Sequence, residues 1–176
     1  MNKQTLFSVK SGFLIALSGT LLMLILLALN FVGPESVKND KLMIGGTILF
    51  ISLYIFLLFG IYKSISNVKK TAQVLTFKSA FFTGFIVSLA TAIFSVLFTI
   101  LFYEIIYPNY NTDMSTVLIE KLSNQNLNET EIAEKISEQT KYYSTVIQAQ
   151  FSFVGNLITG IAFSLILSLF LKSKKN

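Results

Sequence analysis

The chain contains no cysteine, histidine, tryptophan or arginine. Without cysteine there is no disulfide, no thiolate chemistry and no lipidated-cysteine anchor. Without histidine it lacks the commonest metal ligand and the side chain that titrates nearest neutral pH. Charge is scarce too: charged residues make up 13% of the 176, against roughly 25% in an ordinary soluble domain. Proline occurs only at Pro34 and Pro108. Apolar residues dominate instead, at 53% of the chain. A soluble protein this small cannot hide that much apolar surface in one core, but a bilayer accepts it.

A membrane span needs about 20 mostly apolar residues to cross roughly 30 Å of hydrocarbon. Cutting the chain at its charges leaves four such windows, residues 13–32, 42–62, 79–103 and 151–171, and none holds a charge. In lipid the backbone must satisfy its own hydrogen bonds, so these windows are expected to be helices. A cleaved signal peptide is the other reading of the first window. Its apolar run is longer than the usual 7–15 residues, and no A-x-A site comes after it. The expected fold is all-α, an integral membrane four-helix bundle forming a single domain over residues 1–176. Residues 104–150 are expected as a helical hairpin inserted between spans three and four.

The charges also orient the chain. Lys3, Lys10, Lys63, Lys69, Lys70, Lys78, Lys172, Lys174 and Lys175 fall on the face shared by both termini and the middle loop, with no acid among them. All nine acids lie on the other face: Glu35, Asp40, Glu104, Asp113, Glu120, Glu129, Glu131, Glu134 and Glu138. The positive-inside rule therefore predicts cytoplasmic termini in a multi-pass protein. Lys63, Lys69, Lys70, Lys78, Lys172, Lys174 and Lys175 are the expected contacts to anionic headgroups, each contributing about 1 kcal/mol near such a surface. The net charge of +5 thus points to a lipid bilayer as partner and not to nucleic acid. Five of the seven tyrosines, Tyr103, Tyr107, Tyr110, Tyr142 and Tyr143, fall at the outer ends of spans three and four, where the headgroup layer suits an amphipathic ring.

In the outer segment, Pro108 is expected to end or kink the third helix, because it cannot donate to the preceding turn. Residues 114–124 read as a short helix with Val117, Leu118 and Leu122 on one face. Asn128 or Thr130 then caps the next helix. The triplet Asn128-Glu129-Thr130 also fits the N-glycosylation pattern, but that pattern is short and the cap reading is preferred. Ile132, Ile136, Tyr143 and Ile147 recur at helical spacing, and neither Gly nor Pro intervenes before Gly155. One helix over residues 131–171 is predicted, roughly 60 Å long at 1.5 Å per residue. The apolar stripe of the hairpin reads first as the seam between its own arms. The alternative is a docking face, residues 113–150, for a second copy or an envelope protein.

Within lipid, helices associate through small residues and side-chain hydrogen bonds. Span three carries Ala80, Gly84, Ser88 and Ala92 at four-residue spacing, and span four carries Ser152, Asn156, Gly160, Ser164 and Ser168 likewise. Running antiparallel at matched depth, they are expected to set Gly84 opposite Ser168, Ser88 opposite Ser164 and Ala92 opposite Gly160. Asn156 would then donate across to Ser95. Homodimer contact and a solute path are the other uses of such ridges.

The stretch "TFKSAFFTGF", residues 76–85, followed by a span and by "YPNY", residues 107–110, resembles the domain of unknown function 4199 family of four-span membrane proteins from Bacteroidota. The likeness extends to the lysine-bearing turn "FGIYKSI" and to a helical outer segment before a last span that ends in lysines. Its most specific residues are Thr76, Phe77, Ala80, Gly84 and Pro108. The resemblance implies a bacterial inner-membrane protein and carries no catalytic residue.

Three classes of function fit a membrane protein of this size. An enzyme needs placed acids, bases, metals or nucleophiles, and no carboxylate pair, H-E-x-x-H, P-loop or G-x-S-x-G pattern stands in the spans; no cofactor is expected. A small transporter or channel usually buries an ionisable residue or breaks a helix on its path. Glu104, at the outer edge of span three, is the nearest candidate, and snorkelling or pairing with Lys141 accounts for it. A structural or accessory component of the cell envelope, with a projecting interaction hairpin, is the expected function.

Overall fold

The computed structural model describes residues 3–123 and 129–173, and among these there is no strand. Helix α1 covers Lys3–Ala28, the short α2 Pro34–Lys38, α3 Leu42–Thr71 and α4 Phe77–Leu101. A π-helical turn, Phe102–Ile106, prolongs α4. Then come α5 Tyr110–Ser123, α6 Glu129–Tyr142 and α7 Thr145–Leu171. Four helices are long and apolar enough to cross a membrane: Lys3–Ala28, Leu42–Thr71, Phe77–Ile106 and Thr145–Leu171. They form a bundle that is one multi-pass membrane unit.

The first helix stops at Ala28, short of the expected residue 32. Asn30 adopts φ 59°, the left-handed conformation that Asn tolerates at a helix C-terminus. The amides of Asn30 and Phe31 bond back to Leu27 and Leu26 at 3.0 and 2.8 Å, closing the end of the helix. Pro34 then starts α2, where its missing N–H costs nothing. This helix was not legible in the sequence, because five residues are too few to show a period.

The third span ends at Ile106, two residues before Pro108. The Tyr107 amide reaches the Phe102 carbonyl at 2.7 Å, the wide i→i−5 bond of a π turn.

The predicted continuous helix over residues 131–171 is not observed. It breaks between Tyr142 and Thr145, with Ser144 in an extended conformation at φ −66°, ψ 142°. The Ser144 hydroxyl donates to the Lys141 carbonyl at 2.9 Å and its amide does so at 3.2 Å, which closes α6 locally. Serine offers the backbone this alternative to a continuing helix, and the Ser144-Thr145-Val146 run, with two β-branched members, supports the helix weakly.

The bundle is packed most tightly in the half that faces the termini. Ile15, Leu57, Ile61, Ile65, Val68, Leu75, Ala80 and Val87 form its core, with Phe163, Leu167 and Leu171 alongside. Helix α4 is central and packs against α1, α3 and α7. On α1, Gly12 lets the two backbones meet: a β-carbon there would lie 2.6 Å from Ala90 Cβ and 2.8 Å from both the Thr91 nitrogen and the Val87 oxygen. Two of those three atoms are main chain and cannot swing aside. At the terminal side, the Ser173 amide donates to the Leu75 carbonyl at 2.9 Å and the Leu75 amide donates to Ser173 Oγ at 3.0 Å. This pair ties the end of α7 to the α3–α4 turn.

Gly12→Ala is expected to lower resistance to unfolding by about 1–3 kcal/mol, the range of overpacked cores. Gly46→Ala, where a β-carbon meets nothing within 4 Å, is expected to be neutral or to gain up to about 1 kcal/mol of helix propensity. Titration of purified protein from mild detergent into dodecyl sulfate, followed by circular dichroism, compares the two.

Candidate functional site

The α4–α7 interface is built from small residues. Ala80, Gly84, Ser88 and Ala92 on α4 are buried, as are Gly160, Ser164 and Ser168 on α7. The register differs from the expected one by one helical turn. A β-carbon on Gly84 would meet Ser164 Oγ at 2.5 Å, and one on Gly160 would collide with Ser88. Gly84 therefore sits against Ser164 instead of Ser168, and Ser88 against Gly160. The clamp at the terminal end is in step with this register: Ser173 is bonded to Leu75, and counting inward from that pair brings Gly84 level with Ser164 and Ser88 level with Gly160. Matching the depths of the two spans could not reveal those two bonds.

The hydroxyls on this seam bond mainly within their own helices. Ser88 Oγ donates to the Gly84 carbonyl at 2.9 Å, and Ser164 Oγ donates to the Gly160 carbonyl at 2.6 Å. Each serine has one proton, so the 3.4 Å contact between the two oxygens adds packing and not a further bond. Ser168 Oγ is buried without a partner. Nearer the cap, Thr99 and Ser152 hydroxyls do pair across the interface at 3.0 Å. Asn156 does not reach Ser95: its Nδ2 donates to the Ser152 carbonyl of its own helix at 2.7 Å. That amide prefers the backbone acceptor one turn away, which it reaches with no adjustment between helices.

A second small-residue ridge was missed in the sequence. Ser8, Gly12 and Ala16 repeat on α1 and are all buried. Their four-residue spacing is the same signal that marks the ridges of α4 and α7.

Beyond the tight half, the helices separate. A cavity of about 490 Å³ opens between α1, α3, α4 and α7 on the cap side. Leu49, Phe50, Leu53, Phe98 and Phe151 supply apolar wall, and Tyr54, Ser95, Tyr103, Asn156 and Thr159 supply polar groups. None of the lining residues is charged. Tyr54, in the cavity wall, meets Phe163 edge to face at 6.2 Å.

The cap itself is α2, α5, α6 and an aromatic cluster. Phe102, Tyr103, Tyr107, Tyr110 and Tyr143 make edge-to-face contacts with centroids 5.0–6.3 Å apart. Val37, Met114, Val117 and Leu118 complete this second core. The apolar stripe of α5 therefore packs down onto α2 and the bundle top as well as toward α6. Lys121 locks the arrangement by donating to the Val37 carbonyl at 3.2 Å and to the Asp40 carboxylate. Glu104 accepts a hydrogen bond from Thr145 at 2.7 Å, at the first turn of α7, and not from Lys141. A carboxylate in that position also faces the positive end of the helix dipole.

Lys63, Lys69, Lys70, Lys78 and Lys172 are exposed at the terminal end of the bundle. Lys174 and Lys175 lie outside the described residues, as do Asn124 and Asn128. Thr130 lies within α6, which starts at Glu129. Among the described residues, no three acidic, cysteine or histidine side chains gather to hold a metal ion.

Burial pushes the Tyr107 phenol up to about 12, helped by its 2.7 Å hydrogen bond to Asp113 and by the charges of Asp113 and Glu35. Burial likewise raises Tyr110 and Tyr143. A raised value means that the folded state holds the proton more tightly. Stability from these neutral phenols is thus fully present below pH 10 and falls as pH rises through the folded values. The unfolding midpoint in denaturant is expected to drop between pH 10 and about 12. Tyr107→Phe, which has no phenol to ionise, should show a smaller drop; tyrosinate absorbance followed beside near-ultraviolet circular dichroism checks both.

No curated protein and no solved structure matches the chain. The family described as "Protein of unknown function (DUF4199)" matches residues 10–173. That match takes in all four apolar helices and the cap between the third and fourth, and the chain belongs to this family.

Proposed function

We propose that the protein is an accessory component of a bacterial cytoplasmic membrane, with both termini in the cytoplasm and the α2–α5–α6 cap outside, where it meets an envelope partner or a second copy. One observation carries this reading: all nine acidic residues belong to the chain segments of the cap side, and the lysines of the terminal side, Lys63, Lys69, Lys70, Lys78 and Lys172 among them, have no acid in their segments. The positive-inside rule turns that asymmetry into an orientation.

A non-catalytic role is supported by how the interior polar groups are used. Ser8, Thr83, Ser88, Thr91 and Ser164 each donate to a carbonyl four residues back. None of these is poised beside a base. Transport is the weaker reading, because Leu57, Ile61, Ile65, Ala80 and Val87 fill the terminal half of the bundle at 0–1% exposure. The cap is suited to contact, since α6 carries exposed Glu131, Glu134, Lys135 and Ser137 above the membrane boundary.

Single cysteines at Ser123 and Ser137 are expected to react with an impermeant maleimide added to intact spheroplasts, while one at Asn67 reacts only after lysis. The opposite pattern would invert the orientation. Photocrosslinkers at Ser123 and Ser137 should capture one defined protein or a dimer; recovery of monomer alone would remove the contact role.

A further inference from the structure

The cavity between α1, α3, α4 and α7 differs from the rest of the bundle interior. Hydroxyls on the packed faces, such as Ser88, Thr91 and Ser164, are satisfied by their own backbone, Ser168 excepted. Tyr103 is not. It is only 8% exposed, it lines the cavity, and its hydroxyl bonds no described residue. Asn156 uses one amide hydrogen on Ser152 and has a second to give. Polar hydrogens facing hydrocarbon without an acceptor are costly, so an occupant that accepts hydrogen bonds is favoured over a bare alkane.

Three further features define that occupant. The volume of about 490 Å³ falls within the roughly 300–1,000 Å³ of small-molecule sites. The lining holds no charge, so the enclosed part of the occupant is neutral. The cavity lies at the height of the cap-side leaflet and is open sideways. Phe50 and Phe151 are both more than half exposed, and Gly155 faces open space with nothing within 4 Å of a β-carbon.

We propose that this cavity is a lipid site. It takes one acyl chain and the adjoining ester carbonyl of a glycerolipid from the cap-side leaflet. Tyr103 donates to the carbonyl, Asn156 offers a second donor deeper in, and the chain lies along Leu49, Leu53, Phe50 and Phe151. The phosphate stays outside, at the level of the cap. The site does not depend on which way the protein faces, so its test is separate from that of the orientation.

The experiment uses full-length protein in vesicles of phosphatidylethanolamine and phosphatidylglycerol that carry a trace of phosphatidylethanolamine with a photoactivatable acyl chain. Adducts are mapped by mass spectrometry. They are expected to concentrate on Phe50, Leu53 and Phe151, in excess over Ile93 and Leu97, which are exposed on α4 outside the cavity. Gly155→Leu adds a side chain at the opening from a position where a β-carbon meets nothing within 4 Å, and it should abolish the excess. Tyr103→Phe keeps the ring and should lower it about three-fold, the equivalent of one ~0.6 kcal/mol membrane hydrogen bond. Equal labelling inside and outside the cavity overturns the proposal, as does an unchanged pattern in a natively folded Gly155→Leu. Disulfide-linked dimers of Gly155→Cys that suppress labelling would give the cavity to a second copy instead. Should Gly155→Leu fail to fold, Tyr103→Phe decides by itself: undiminished labelling refutes the assigned donor.

Discussion

Helices in lipid have no hydrophobic drive toward one another, since the solvent is as apolar as their side chains. What holds this bundle together is the close approach of main chains where side chains are nearly absent. Gly12 brings α1 onto Val87–Thr91, and Gly84 and Gly160 bring α4 and α7 onto each other's serines. Dispersion contacts are weak singly and need atoms within about 4 Å to add up. Glycine, alanine and serine at four-residue spacing supply that proximity along a whole face. The central position of α4 goes with its two buried faces, one of Ala80, Gly84, Ser88 and Ala92 and one of Thr83, Val87, Ala90 and Thr91.

The same requirement explains why the bundle changes character along its length. Toward the cap, the positions facing inward become large or aromatic: Phe98, Phe102 and Tyr103. Such residues hold helices apart, and the cavity is the space they leave. Closure at that end falls to a different force. Val37, Met114, Val117 and Leu118 are brought together with the tyrosines outside the apolar spans, where water is present and burying apolar surface stabilises at roughly 25 cal/mol per Å². One end is thus held by contact between backbones and the other by the hydrophobic effect, with Lys121 bonded to Val37 and Asp40 joining α5 to α2.

Polar groups inside the spans divide in two. On packed faces Ser88, Thr91 and Ser164 donate to their own carbonyls, which lets a hydroxyl sit in hydrocarbon at little cost, while Ser168 stays unpaired and Thr99 pairs with Ser152 across the seam. In the cavity, Tyr103 has no such acceptor, because a phenol reaches too far from its own backbone to bond one turn back. That difference separates residues that shape the protein from residues free to meet something else. Tyr107, with Asp113 as its acceptor, belongs to the first group although it too is a cap tyrosine.

The sequence by itself determined the number of spans, the all-helical class and the segregation of carboxylates from the terminal-side lysines. Each depends on the cost of placing a charge or an unpaired peptide group in hydrocarbon, which is a local property of a run of residues. It also marked the ridges of α4 and α7, since spacing alone puts Gly84 and Ser88, or Gly160 and Ser164, on one face. Tertiary structure decided how those ridges meet. The observed register, one turn from the matched-depth one, agrees with two hydrogen bonds between Ser173 and Leu75, and residues so far apart in the chain carry no local trace of that pairing. The cavity behind Tyr103 is of the same kind, since residues from four helices line it. The break at Ser144 and the five-residue α2 are illegible in the sequence for another reason: each rests on a short local preference, the bonds of Ser144 to Lys141 and Pro34 at a first turn, too brief to show a period.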